Sequence, residues 1–125
     1  MIGVAITTKD RHDLLKKALT YHDKHWHGIG ALIVVDDGSE TPVQLPDWVG
    51  AVKPKLIRHE QSMGISAAKN RCLEALMAEP NCEHLFLFDD DSWPICDGWH
   101  KPYTTSPEPH LQANYAPAVS RWNQL

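Results

Sequence analysis

Three acidic segments are the places where this sequence could do chemistry: Asp10, Asp36-Asp37 and Asp89-Asp90-Asp91. The triplet follows Leu85-Phe86-Leu87-Phe88 without a break. Carboxylates with no basic neighbour nearby in sequence are costly unless they are hydrated or neutralised by a cation. Hard divalent ions, Mg²⁺ or Mn²⁺, suit carboxylate oxygens, and a phosphate-bearing ligand can complete the coordination shell. Such a metal withdraws charge from a departing phosphate as a Lewis acid. In an extended turn Asp89 and Asp91 point to one side, toward the ligand, as metal ligands. Asp90 points elsewhere, with a structural role open to it, and is kept among the cofactor-binding candidates as part of the triplet. The bland alternative is a solvated turn or a helix-capping carboxylate, and a position at the end of a buried strand weighs against it.

Asp36-Asp37-Gly38-Ser39 forms a sharp turn after another apolar run. A carboxylate there can accept a hydrogen bond from a ligand N–H, such as a pyrimidine edge, and Gly38 lets the backbone turn tightly beside it. An ordinary Asp-Gly turn would look the same. Ser62 to Asn70 opens a helix with small residues, and Lys69 there could meet a phosphate. Neither a GxxxxGK[ST] phosphate loop nor a GxGxxG turn after the first strand is present, which argues against P-loop and standard dinucleotide enzymes.

These residues need a scaffold, and the hydrophobic pattern supplies one. Ile2 to Thr7 reads as a strand. Leu14, Leu15, Ala18, Leu19 and His22 fall at helical spacing, giving a helix over 11–24 with Asp10 as its cap. Ala31 to Val35 lacks polar alternation, as a strand buried on both faces does. A loop covers 40–50, and a third strand runs over 52–58, where Pro54 suggests an edge. A helix over 65–78 is closed by Pro80, and a fourth strand covers 84–88. The alternation implies an α/β fold with a mainly parallel sheet and helices on its faces. In such sheets ligands sit beyond the carboxyl ends of the strands, and all three acidic segments lie there. Residues 1–92 are expected to form the binding core. Residues 93–125, punctuated by prolines, form an irregular tail packing on or near the donor site, with a short element near 115–121.

Bulk properties narrow the class. At 125 residues with a net charge of -4, the chain fits one globular domain and shows no basic face for nucleic acid. No apolar run approaches the ~20 residues of a membrane span. The first residues lack a signal peptide's pattern, so the expected compartment is the cytoplasm. Three cysteines cannot all pair, and reduced thiols are the simpler reading. Two histidine and cysteine groupings, His22/His25/His27 and Cys82/His84/Cys96/His100, lack zinc-site spacing.

Four ordered blocks resemble family-2 inverting glycosyltransferases of the GT-A fold. They are Val4 to Arg11, Leu32 to Ser39 (LIVVDDGS), Ser62 to Asn70 (SMGISAAKN) and Phe86 to Asp91 (FLFDDD). Together they cover about the first 90 residues. The resemblance implies a GT-A, Rossmann-like three-layer fold, here truncated. It also implies metal-dependent transfer of a sugar from a nucleoside-diphosphate sugar, a UDP-sugar by default, to an acceptor hydroxyl with inversion. Thr8 and Asp10 would lie by the nucleotide, and Asp37, or else Asp36, would bind the base. Lys69 would sit near the base or phosphates, Asp89 by the ribose or sugar, and Asp91 on the metal bridging the phosphates.

Departures from the family wording are Thr7 for proline, Lys9 for an aromatic, Ser62 for asparagine and Cys72 for glycine. An inverting enzyme also needs a general base. The tail offers Asp97, His100, Glu108 and His110, and Asp97 is the candidate because Asp97-Gly98-Trp99 resembles the stretch after the metal motif. The competing reading is a nucleotide-sugar-binding module that needs another segment or subunit for activity, either a homo-oligomer or a second polypeptide.

Overall fold

A computed structural model of the protein describes residues 1–108. The order is β1 (Ile2–Thr8), α1 (His12–Lys24), β2 (Ile29–Asp37), β3 (Lys55–His59), α2 (Ile65–Met77), β4 (His84–Asp89) and α3 (Lys101–Thr104). The strands form one four-stranded sheet in the order β3-β2-β1-β4, with every neighbouring pair parallel. The expected α/β class and parallel sheet are found. The third strand covers Lys55–His59 and not 52–58 as expected, so Pro54 lies just before it, and β3 is an edge of the described sheet.

Alternation along each strand divides the core between two faces. Val4 and Ile6 of β1 join Leu32 and Val34 of β2 beneath Leu15 and Leu19 of α1. Ala5, Ile33 and Val35 turn the other way, beneath Ala68, Cys72 and Leu76 of α2. The result is a three-layer arrangement, α1 on one face and α2 on the other. The thiol of Cys72, with no exposed surface, is pushed up to about 11 by burial, as expected of a packing residue.

Two local expectations are corrected. Asp10 does not cap α1. Arg11 holds the cap position without a side-chain bond, because Asp10 adopts a left-handed φ of 53° and its carboxylate accepts from the N–H of Glu40 at 2.7 Å. β2 also runs beyond 31–35, since Asp36 and Asp37 remain in the ladder opposite Arg58 and His59.

After β4 the chain turns back along the α1 face. Trp93 stacks on Tyr21 of α1 at 5.4 Å between ring centroids, and Trp99 meets Phe86 and Phe88 edge-on at 4.9 and 5.4 Å. These tryptophans pack the fold. The short helix α3, absent from the sequence reading, begins at Lys101-Pro102 and sets Tyr103 against Phe86. The element expected near 115–121 lies outside the described residues.

Candidate nucleotide-sugar site

The carboxyl ends of the four strands form one edge, and strand alternation sorts its polar groups into two layers. On the α1 side the groups are sealed. Asp36 has no exposed surface. It accepts from the Ser39 N–H at 3.0 Å, the Val43 N–H at 3.2 Å and Arg58 Nη1 at 2.8 Å. Burial pushes its pKa up, but the Ser39, Val43 and Arg58 bonds outweigh it and hold the carboxyl below the usual range. Asp90 is equally buried. It accepts from Thr8 Oγ1 at 2.9 Å and Arg11 Nε at 3.1 Å. Arg11 Nη2 lies 2.6 Å from Oδ1 but off the hydrogen-bonding direction. Burial wins at Asp90 and raises its pKa despite Thr8 and Arg11.

Asp36, Asp90 and Thr8 were expected at the ligand. Their side chains instead hold the three loops of this edge together. Asp90 Oδ2 is taken by Thr8 and Arg11, and Oδ1 lies against Arg11 Nη2.

On the α2 side Asp89 and Asp91 are more open, while Thr7 and Asp37 are buried. Asp89 is 37% exposed and its Oδ1 accepts from Lys69 Nζ at 2.6 Å and Thr7 Oγ1 at 3.2 Å. Lys69 also donates to the Phe88 carbonyl at 3.3 Å. Burial raises the Asp89 pKa, but the Lys69 bond and charge, then Thr7 and Arg11, bring it below the ordinary value. Asp91 follows on the turn, exposed and without a hydrogen-bond or ion-pair partner among the described residues. Asp37 accepts from His59 Nδ1 and Met63 N–H, both at 2.8 Å, from Ser62 Oγ at 2.9 Å and from Gly64 N–H at 3.1 Å. These four bonds outweigh its burial and hold the carboxyl down at about 2.

Gly38 makes the approach of the 59–64 loop possible. Its φ is +77°, and an added Cβ would stand 2.4 Å from the Ser62 nitrogen. Asp10 sits at the outer rim, its N–H donating to Ser39 Oγ at 2.8 Å. It ties the β1 loop to the β2 turn and remains exposed.

Asp97 is not at this edge. It bonds His25 Nδ1 at 2.7 Å, and His25 follows the end of α1 just before β2 begins. That is the end of the sheet where β2 begins, opposite its carboxyl end. The hydrogen bond from His25 holds the Asp97 carboxyl below its usual range. Asp97, the expected general base, thus pairs with His25 and not with the acidic turns.

Lys69 was expected near this edge from the sequence, but the roles of Arg11 and Arg58 were not. Arg11, Arg58 and Lys69 are brought to the acidic turns by the fold, so the carboxylates do have basic partners, only distant in sequence. Arg58 and His59 end the third strand, and a parallel β2–β3 pairing was the one signal that could have placed them.

Among the described residues no group of three or more His, Cys, Asp and Glu side chains is arranged to hold a metal ion. The edge offers two carboxylates with uncommitted oxygens, Asp89 Oδ2 and Asp91. That donor set fits an ion of the Mg²⁺ type, which takes one or two carboxylates and completes its shell with phosphate oxygens and water.

No protein-family model matches the chain, and no solved structure matches it. The sequence is similar to an uncharacterized glycosyltransferase of Acanthamoeba polyphaga mimivirus, with 33% identity over 114 residues and 84% of this chain covered. The chain spans 43% of that relative's length.

Proposed function

We propose that the chain binds a nucleoside-diphosphate sugar at the carboxyl edge of its sheet and takes part in transferring the sugar to an acceptor hydroxyl. The observation that carries the reading is the pairing of a partly open Asp89 with Lys69 beside an exposed, unpartnered Asp91. This is a cation-and-anion arrangement matched to a metal-bound diphosphate. Similarity to a viral glycosyltransferase supports the same chemistry.

Asp89 and Asp91 would hold Mn²⁺ or Mg²⁺, and Lys69 would meet the phosphates. When bound, the metal supplies charge withdrawal from the nucleoside-diphosphate leaving group. Thr7 orients Asp89, and the buried Asp36, Thr8 and Asp90, bonded to Arg58 and Arg11, keep the loops rigid around it. UDP is the default nucleotide.

A second reading, a binding module whose acceptor chemistry comes from another segment or subunit, is favoured by one observation. Asp97 lies at the far end of the sheet, bonded to His25, which takes the candidate base out of reach of the donor edge.

Calorimetric titration with UDP and GDP, each with and without Mn²⁺, tests binding. Metal-dependent binding of one nucleotide, lost in Asp91→Ala, is expected. Absence of binding under every condition would overturn the reading. Release of UDP from UDP-sugars in the presence of acceptor then separates an active transferase from a binding module.

A further inference from the structure

The turn expected to read the nucleobase has no free acceptor. Asp37 already takes four hydrogen bonds, and a carboxylate offers about four lone-pair sites. Asp36 is sealed and filled by Ser39, Val43 and Arg58.

The group next to them is different. Asp37 is ionised at neutral pH and can only accept, so the proton of the His59–Asp37 bond sits on Nδ1. The Nε2 of a neutral ring is then an acceptor fixed in place by its carboxylate partner. It has no partner among the described residues, yet it is not among the sealed polar atoms.

Met63 lies on the loop that follows β3, and Ile65 opens α2. They are 65% and 64% exposed, although Met63 is pinned through its own N–H to the same Asp37. Exposed apolar side chains beside one fixed polar atom suit a flat heteroaromatic ring. The register also fits. His59 pairs with Asp37, Asp36 with Thr8, and Thr7 with Asp89. His59 and the metal-side carboxylates therefore stand at opposite edges of the sheet, three strand spacings or ~14 Å apart, a span that an extended nucleoside diphosphate bridges.

We propose that His59 reads the base, its Nε2 accepting a ring N–H on the pairing edge, with Asp37 as the positioning residue that aims it. The assignment rests on the nucleotide-sugar reading above and moves the base contact from Asp37 to His59. It selects bases that carry a ring N–H, uracil or guanine, over cytosine, whose corresponding ring nitrogen is an acceptor.

The whole chain is titrated, in Mn²⁺, with UDP, GDP, CDP and inorganic pyrophosphate, as the unmodified protein and as His59→Ala and His59→Gln. The unmodified protein is expected to prefer UDP or GDP over CDP. His59→Ala should weaken the preferred nucleotide by about tenfold, the worth of one hydrogen bond, and bring its ratio to CDP close to unity. Pyrophosphate binding should stay unchanged, and His59→Gln, which keeps an acceptor oxygen, should recover part of the preference. Unchanged affinity and preference in His59→Ala, with pyrophosphate still bound, would overturn the assignment and leave the nucleotide-sugar reading standing. Loss of every nucleotide by the unmodified protein would overturn both. Ring-nitrogen NMR of the unmodified protein gives a measure independent of variant folding: the His59 Nε2 resonance should move on nucleotide addition, and a stationary resonance in the nucleotide complex refutes the contact.

Discussion

His22 shows what a single side chain can contribute against the fold. It has no exposed surface, lies edge-on to Phe88 at 4.7 Å, and neither ring nitrogen has a partner. Burial lowers its pKa from 6.5 to about 4. Between those values the unfolded chain binds the proton and the folded one does not, so stability falls as pH drops from 6.5 toward 4, by roughly 3 kcal/mol. The carboxyl of Asp37, held at about 2, acts in a lower window, and its stabilisation is lost as pH falls from ordinary carboxylate values through 2. Replacing His22 by leucine should raise stability at pH 7 by roughly 1–3 kcal/mol, since two unmade buried hydrogen bonds disappear. It should also flatten the slope between pH 6.5 and 4. Guanidinium unfolding at pH 7 and 4.5 measures both, and a variant as acid-sensitive as its parent would refute the account.

At the scale of elements, the alternation of β1, β2 and β4 separates structure from binding. Asp36→Ala strands Arg58 and two backbone N–H groups and should lower unfolding stability by roughly 3–5 kcal/mol. Asp91→Ala touches no partner and should stay within about 0.5 kcal/mol of the parent while losing metal-dependent nucleotide binding. Denaturation and titration of the two variants give opposite patterns if the separation holds. Gly38→Ala should lose roughly 1–3 kcal/mol through left-handed strain, and more through its collision with the Ser62 nitrogen. Denaturant midpoints check the loss.

β1, β2, β4 and both long helices were legible because each carries a clear apolar run or period, and the acidic turns were legible because they follow apolar runs directly. Which carboxylates are sealed was not. Arg58 reaches Asp36 across 22 positions and Arg11 reaches Asp90 across 79, and no local pattern encodes such pairings. The helix α3 escaped because its four residues, one of them Pro102, are too short to show a period.

On the scale of the whole molecule, the two sheet edges differ. β3 is flanked by Lys53 and Pro54 and carries Lys55 and Arg58, which discourage pairing with another chain. β4, with the sequence HLFLFD, has no lysine or proline, and Leu87 is partly exposed. Leu87→Lys should therefore reduce concentration-dependent self-association, while Leu56→Lys on the guarded edge should not. Sedimentation at increasing concentration compares them, and equal behaviour would remove the distinction.

The bond between Lys69 and Asp89 gives the proposed site a thermodynamic preference for composite ligands. A free divalent ion at Asp89 Oδ2 would meet the repulsion of the ammonium tethered to Oδ1, and a free nucleotide would leave Asp91 without a counter-charge. A metal–diphosphate brings an anion for the lysine and a cation for the carboxylates in one event. On the proposed reading, occupancy would follow the product of the two concentrations, with little response to either component alone.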